Sequence, residues 1–537
     1  MISDQLRVEV QDWIEHDPDK ETAKQLSNWL KEGNFKELER CFSGFLQFGT
    51  AGLRGPIGPG PSCMNRAVVS RTATGIAEFM KKNNLSSVVI GRDARHGSDQ
   101  FLQDSAEIFA GAGIKTYVLP RALPTPVLAF AINKLKVDAG IMVTASHNPA
   151  TDNGYKVYLG GVVEGVNYFG SQIIPPVDTE ISNLIALANK NPKRSEVFET
   201  VKESVIDDYI SSVSALANTP NNLKVVYTPL HGVGAETFIE VFKRAKFASP
   251  ILVSEQVKPD PNFPTTPFPN PEESGSMDMA LEYARRNNAD VVIANDPDAD
   301  RCAIAIVNQK GIWQVLRGDE VGVLIGDYLI KKSSSSNRAI ANSLVSSSLL
   351  GKIANKKGLK FEETLTGFKW ISKIENLLFG YEEALGYCVD QKNVNDKDGI
   401  SAAVILVQII QELKGNGLSI FDYLEKLGNE YGFHKTDQIS IRVKNLQDID
   451  ELLNRVITAP PKLLINNALK SYENLGESKV KPTLGVRLNY ENGIRVIIRP
   501  SGTEPKLKCY IEVISSTNSE AENLISQIKQ ALTKVLS

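Results

Sequence analysis

Short apolar runs recur along the first 430 residues, each followed by a polar loop and then by a stretch with helical spacing. Val88-Val89-Ile90 precedes GRDARHGSD, Ile141-Met142-Val143 precedes TASHNP, and Val225-Val226-Tyr227 precedes TPLHGVG. Val291-Val292-Ile293 precedes ANDPDADR, and Ala339-Ile340 precedes ANSLVSSSLL. Continuous apolar strands alternating with helices predict α/β domains whose parallel sheets are covered on both faces. Loops after the carboxyl ends of such strands carry the ligands. Beyond residue 434 the pattern changes. Val486 to Tyr490 alternates, Asn492-Gly493 supplies a hairpin turn, and Ile494 to Ile498 resumes the strand. A strand over Lys508 to Ile514 and a helix over Ser519 to Val535 complete a smaller α+β unit.

Near the N-terminus, Asp17 is placed to cap a helix that begins at Pro18 and stops before Gly33. The Pro-rich stretch 258–273 reads as an extended loop wrapped across a domain face, and the serine runs at 333–336 and 346–348 read as loop or helix-start material. Boundaries fall near 205, 315 and 434, giving domains 1–205, 206–315, 316–434 and 435–537. The chain's 537 residues suit three or four domains at about 150 residues each.

Composition narrows the function more than the fold. Sixty Lys plus Arg against 63 Asp plus Glu leave a formal charge of −3, with no basic tail or face. Nucleic acid and membrane surfaces are therefore not expected partners. An anionic substrate would need its binding charge concentrated locally. The acidic start lacks an apolar signal core, and the longest apolar run, Ala402 to Ile410, falls far short of the roughly 20 residues of a membrane span. A cytoplasmic protein is expected. Five cysteines without CxxC spacing argue against a disulfide framework or a zinc site.

Four loops carry candidate chemistry. In Thr144 to Pro149, Ser146 follows a strand and can present a nucleophilic or phosphate-carrying hydroxyl, although a serine there also caps helices. His147 is expected to orient that loop rather than to pair with its neighbour, because adjacent side chains usually diverge. Asp296, Asp298 and Asp300 alternate with Pro297 and Ala299, which on an extended segment directs three carboxylates to one side. Oxygen-only ligands favour Mg²⁺ over zinc, with Ca²⁺ the rival; no EF-hand spacing is present. Arg301 stands beside them for an anionic substrate. Glu382 and Glu383 could act as acid and base, accept hydrogen bonds from a sugar's hydroxyls, or simply be solvated. The loop Arg499 to Lys506, with Ser501, Gly502 and Thr503, reads as a phosphate cradle, not a Walker loop.

With these loops in order, one per predicted domain, the chain resembles the α-D-phosphohexomutase superfamily. The likeness is to its phosphoglucomutase/phosphomannomutase branch, near the type-2 phosphoglucomutases and phosphopentomutases. It runs from FGTAGLRG at 48–55 through TASHNPATDNGYKVY, DPDADR, TGFKW, EEALG and DKDGI to RPSGTEPK. The resemblance implies three α/β domains with mixed, not purely parallel, sheets and a C-terminal α+β domain around a central cleft. It implies phosphoserine at Ser146, Mg²⁺ held by that residue with Asp296, Asp298 and Asp300, and Arg54 beside the phosphate. Lys156 would lie near the reacting oxygen, as a base if neighbouring cations depress its pKa or else as a charge partner. Lys397 would contact substrate, with proton transfer open to it. Thr366, Gly367 and Lys369 match a loop that distinguishes substrate orientations, Glu382 and Glu383 the sugar loop, and Arg499, Ser501, Gly502, Thr503 and Lys508 the distal phosphate site.

The implied activity is a mutase interconverting hexose 1- and 6-phosphates, glucose first and mannose next, through a bisphosphate intermediate. Glucose 1,6-bisphosphate would serve as activator. The expected partner is a small-molecule sugar phosphate, and the expected state a monomer or small homo-oligomer. One departure matters: Tyr381 and Ala384 stand where many hexomutases carry Gly and Ser. That variant resembles the branch that also handles pentose phosphates, so a phosphopentomutase is the alternative. A sugar-bisphosphate synthase or a non-catalytic binding relative are the further ones.

Overall fold

The computed structural model describes residues 2–46, 52–335, 337–442, 446–477, 482–500 and 506–536. The chain divides into two compact units. One comprises 1–307, 311–315 and 386–408; the other comprises 308–310, 316–385 and 409–537.

Among the described residues, the first unit holds two large sheets and a two-stranded ribbon at 162–167. In one, the strands Val88 begins to predict extend over Ser87–Arg92, flanked in parallel by Lys115–Val118 and Ala139–Val143. Ala139–Val143 then pairs antiparallel with Asp152–Leu159, which pairs antiparallel with Leu53–Pro56. Every residue of the 139–143 strand is buried, which is why its sequence shows no alternation. The second sheet places Val225–Thr228 between Ile251–Leu252 and Val291–Asn295 in parallel, and Cys302–Val307 and Trp313–Val315 follow antiparallel. The sheets are mixed, and the parallel expectation fails for Leu53–Pro56, Asp152–Leu159, Cys302–Val307 and Trp313–Val315. Chain reversal by a short turn puts Asp152–Leu159 and Cys302–Val307 beside the strands that precede them, and a short turn permits only antiparallel pairing.

Ahead of these sheets lie the helices Asp4–His16, Lys20–Glu32 and Phe35–Cys41, joined by a small core of Ile2, Val10, Leu26 and Leu38. The helix expected to start at Pro18 starts at Lys20. Asp19, not Asp17, is its N-cap, accepting from the Glu21 backbone, while Gly33 closes it at φ +74°. Asp17 instead ends the preceding helix and accepts from the Thr22 hydroxyl at 2.8 Å. Two acceptors compete for one helix start, and the one nearer the first turn wins.

The second unit contains a parallel sheet with Ala339–Ser343 between Lys360–Thr364 and Leu377–Glu382, packed by the helix Gly318–Lys332. It also contains an antiparallel sheet in the order 433–442, 506–515, 495–500, 486–490, 467–474, 463–464. Val486, Leu488 and Tyr490 alternate inward, and Ile528 and Leu532 of the helix Asn518–Leu536 share their core. Shortening one of those aliphatic side chains to alanine removes about 2–5 kcal/mol. The hairpin and the last helix fall where the hydrophobic pattern puts them. The 258–273 stretch forms turns and bends, with no strand. All five cysteines are buried free thiols. Among the described residues, no helix is long and apolar enough to cross a membrane.

Candidate active site

In the first unit, the strand Ala139–Val143 stops at Thr144 and the chain turns tightly. Ser146 adopts φ +54°. This left-handed step brings its Oγ to 3.1 Å from His147 Nδ1. The expected divergence of neighbours is therefore overturned. That expectation belongs to extended or helical backbone, and Ser146 is in neither. Ser146 Oγ also donates to Asp296 Oδ2 at 2.7 Å.

The loop is held from outside the motif. Ser146 N–H donates to Thr144 Oγ1 at 2.9 Å, and Thr144 Oγ1 donates to Asp93 Oδ2 at 2.7 Å. Arg95 directs its guanidinium at the carbonyls of Ser146, Asn148, Pro149 and Asp152, at 2.6–3.1 Å. Sequence reading passed over Asp93 and Arg95. The signal was present in GRDARHGSD, a charged loop after a buried strand, but its target was not.

The Asp296–Asp300 segment corrects the extended picture. It is a turn in which Ala299 takes φ +55° and donates its N–H to Asp296 O at 2.8 Å. Proline and a left-handed residue curl the chain, and the curl converges the carboxylates. One oxygen from each aspartate lies within 4.8 Å of the others, and all three residues are buried. Burial and the charges of Asp298 and Asp300 push Asp296 well above the usual carboxylate range. Asp298 and Asp300 suffer the same burial, yet Lys156 holds both below it, joined at Asp300 by Lys397 and Arg301.

Lys156 sits on the strand Asp152–Leu159, opposite Met142, and reaches Asp298 Oδ2 at 2.7 Å and Asp300 Oδ2 at 2.9 Å. Burial lowers its pKa, but the two carboxylates more than offset that and the net shift is upward. Of the two roles left open for Lys156, this shift goes with the charge partner: the carboxylates outweigh burial and the neighbouring cations. Lys397 Nζ lies 3.3 Å from Asp300 Oδ2, and Arg301 Nε lies 3.9 Å from Asp296 and from Asp300. Arg54 pairs across the sheet with Gly154, where an added Cβ would come within 2.5 Å of Thr144 O. That close approach requires glycine. Burial lowers the Arg54 pKa, and the charges of Asp298 and Asp300 act against it.

Whether the aspartates suit a metal can be tested on their hydrogen bonds. Thr125 Oγ1 and Lys156 both donate to Asp298 Oδ2. Among the described residues, Asp298 Oδ1 and Asp300 Oδ1 are buried without any hydrogen-bond partner. An unpartnered buried carboxylate oxygen is costly. Two of them, converging with Asp296 in an oxygen-only set, fit a hard divalent cation.

In the second unit the predicted residues form two groups. Glu382 Oε1 accepts from the N–H of Gly367 at 2.7 Å, at a backbone φ of +106° that only glycine adopts readily. Thr366 and Lys369 flank that point. Glu383 accepts from Ser343 Oγ at 3.0 Å and Ser346 Oγ at 3.3 Å, and its own N–H donates to Ser346 Oγ at 3.1 Å. Burial and Glu382 raise its pKa, and Lys508 acts against them. Neither glutamate is a plain solvated carboxylate. Arg499 and Lys508 are cross-strand partners, and among the described residues Arg499 Nε is buried without a partner. Ser501, Gly502 and Thr503 lie outside the described residues. Tyr381 does not reach the sugar loop's surface. It is fully buried, its hydroxyl donates to Asp319 at 2.8 Å, and its ring occupies the space a side chain on Gly322 would need.

The fold is one of mixed α/β domains followed by an α+β domain, with a strand-end serine set against buried carboxylates and cations. Sequence models of the phosphoglucomutase/phosphomannomutase family match four successive segments. The α/β/α domains I, II and III match 46–191, 203–310 and 317–430, and the C-terminal domain matches 439–530. The chain belongs to this family and is a phosphomutase, an isomerase that works by phosphotransfer. Among its relatives is a Haemophilus influenzae protein named "Probable phosphomannomutase", 43% identical over 88% of this chain and 98% of that one. The phosphopentomutase of Homo sapiens is 34% identical over 99% of this chain and 95% of its own length. The glucose 1,6-bisphosphate synthase of Homo sapiens is 33% identical over 99% and 94%. The fold is also that of a Burkholderia thailandensis phosphoglucomutase/phosphomannomutase family protein, with TM-score 0.69, 18% identity, and coverage of 91% of this chain and 97% of that one.

Proposed function

We propose that the protein interconverts hexose 1-phosphate and hexose 6-phosphate, glucose first and mannose next, by way of phosphorylated Ser146 and a sugar bisphosphate. The observation that carries the reading is the 2.7 Å contact of Ser146 Oγ with Asp296, inside a buried cluster of three aspartates and their cations. The four-domain division at 205, 315 and 434 goes with it, supported by the four matched segments.

The exchange balances without outside acid or base. The bond from phosphorus to Ser146 Oγ breaks and one to a sugar hydroxyl forms. The proton that the sugar loses is matched by the one Ser146 gains. His147, 3.1 Å from Oγ, stands at the serine end of that exchange. Asp296, Asp298 and Asp300 would hold Mg²⁺, which when bound neutralises charge on the transferring phosphoryl group. Lys156 stays protonated between Asp298 and Asp300 and supplies fixed positive charge, as do Arg54 and Lys397 around it. Arg301 faces the substrate's anion. Glu382 holds the Thr366–Lys369 loop in shape, and Glu383 accepts from sugar hydroxyls. Arg499, Ser501, Gly502, Thr503 and Lys508 take the distal phosphate. A cytoplasmic location suits a freely diffusing sugar phosphate, and trace glucose 1,6-bisphosphate would keep Ser146 phosphorylated.

A second reading, a pentose-phosphate mutase, rests on the full-length likeness to the human phosphopentomutase and on Ala384, which offers the sugar no hydroxyl. Turnover of glucose 1-phosphate, mannose 1-phosphate and ribose 1-phosphate side by side, with Mg²⁺ and trace glucose 1,6-bisphosphate, decides between them. A dominant hexose rate supports the first reading, and a dominant pentose rate replaces it with the second. Accumulating bisphosphate would indicate a synthase, and no turnover of any sugar would sink both mutase readings.

A further inference from the structure

Away from the aspartate cluster, a cavity of about 350 Å³ opens between the helices Asp4–His16 and Arg66–Lys82. Its aromatic lining is Trp13, Phe42 and Phe45. Trp13 and Phe42 meet edge to face with ring centroids 6.0 Å apart. None of these residues belongs to the phosphotransfer site. The family's first matched segment begins only at residue 46, so these walls come from a part of the chain that precedes it.

The polar side of the cavity is uneven. Asp12 is engaged by Lys190 at 2.5 Å and approached by His16 at 3.5 Å. Glu9 also lines the cavity, and Asp12 attracts Arg71 without a hydrogen bond between them. The Arg71 guanidinium carbon lies over the Phe45 ring, 4.8 Å from the centroid. Among the described residues Arg71 makes one long hydrogen bond, Nη2 to Ala186 O at 3.5 Å, and its Nε is buried with no partner. A guanidinium carries five N–H donors in a fork that matches a carboxylate. Unmet donors beside aromatic walls, in a volume of small-ligand size, call for an anion with a flat apolar body.

We propose that this cavity is a binding site for a small aromatic carboxylate, with the carboxylate on Arg71 and the ring among Trp13, Phe42 and Phe45. The ring replaces water against apolar surface, and the carboxylate satisfies the Arg71 donors. A ligand of either half alone makes only half of these contacts. The site does not depend on the mutase reading, since it uses none of the same residues.

Calorimetric titration of the full-length protein with phenylacetate tests it, with benzyl alcohol and acetate as the two halves. Phenylacetate should saturate one site at least ~10-fold more tightly than either half. Excess inorganic phosphate should leave that binding unchanged. Arg71→Gln should weaken it at least ~10-fold, and Ala67→Phe, which projects a ring into the cavity from the 66–82 helix, should abolish it with the circular dichroism spectrum preserved. Equal affinity for phenylacetate and benzyl alcohol would mean a merely apolar crevice and overturn the proposal. Displacement by phosphate would place the ligand in the phosphotransfer site and overturn it too. Should Arg71→Gln not fold, undiminished binding by folded Ala67→Phe would be equally fatal.

Discussion

The aspartates of the first unit and the glutamates of the second are both close-set acidic clusters behind strands, yet their hydrogen bonds divide them. Glu382 and Glu383 each already accept from groups of the protein, one from the Gly367 N–H and the other from two serine hydroxyls. Asp298 and Asp300 each keep a buried oxygen with no donor, although three cations stand near. Carboxylates that are satisfied shape a loop. Carboxylates left short of donors in a buried place await a ligand that carries positive charge. Both places bring carboxylates close together, three in one and two in the other, and the satisfaction of their oxygens separates them.

The strongest way to sharpen that contrast is at the serine. Ser146→Ala should cut turnover by at least ~10⁴-fold with the melting temperature little changed, because the hydroxyl serves transfer rather than packing. Residual mutase activity within ~10-fold of the parent would break the assignment of the cluster to phosphotransfer. Next comes the clamp behind it. Arg95→Ala removes donors from four carbonyls of the serine loop, and a shift of about 1 Å there should cost about 100-fold in kcat. An unchanged kcat would show that the loop holds its shape unaided.

The aspartate side is probed through a residue that leaves the three carboxylates in place. Thr125 donates to Asp298 Oδ2 at 2.6 Å, so Thr125→Val should raise the Mg²⁺ needed for half-maximal turnover by about 10-fold or more. A Mg²⁺ dependence identical to that of the parent protein would argue against metal at this cluster. The glutamate side should respond least. Ser346→Ala takes one hydroxyl from Glu383 and is expected to cost about 1 kcal/mol, a rise of roughly fivefold in KM for the sugar phosphate with little change in kcat. A larger loss in kcat than in KM would mean that Glu383 takes part in the chemistry and would dissolve the division drawn above.

Much of this was legible in the chain. The buried runs before 93, 144, 229, 296 and 344 are strands because every second residue has no need to be polar when both faces are covered. The 486–498 hairpin is legible from its alternation and its Asn-Gly turn. Helix capping was less so: Asp17 and Asp19 are equal in chemistry, and the choice between them depends on where the first turn settles. The Ser146–His147 contact and the converging aspartates were hidden for one reason. Both rest on left-handed backbone at Ser146 and Ala299, residues whose identity does not ask for that conformation. Arg95 was hidden because its four acceptors are carbonyls, which every residue carries.

The sequence by itself determined the family, the order of its polar loops along the chain, and a formal net charge of −3 that offers phosphate no overall attraction. Those features are local: each is a choice of side chain or a periodicity within a dozen residues. Tertiary structure decided how the side chains act on one another. It placed Lys156 within 2.9 Å of Asp298 and Asp300, sent Tyr381 into the core, gave Ser346 to Glu383, and set Arg71 beside the Phe45 ring. Protonation, pairing and vacancy depend on distances between segments far apart in the chain, and electrostatic energy in a buried place is set by those distances.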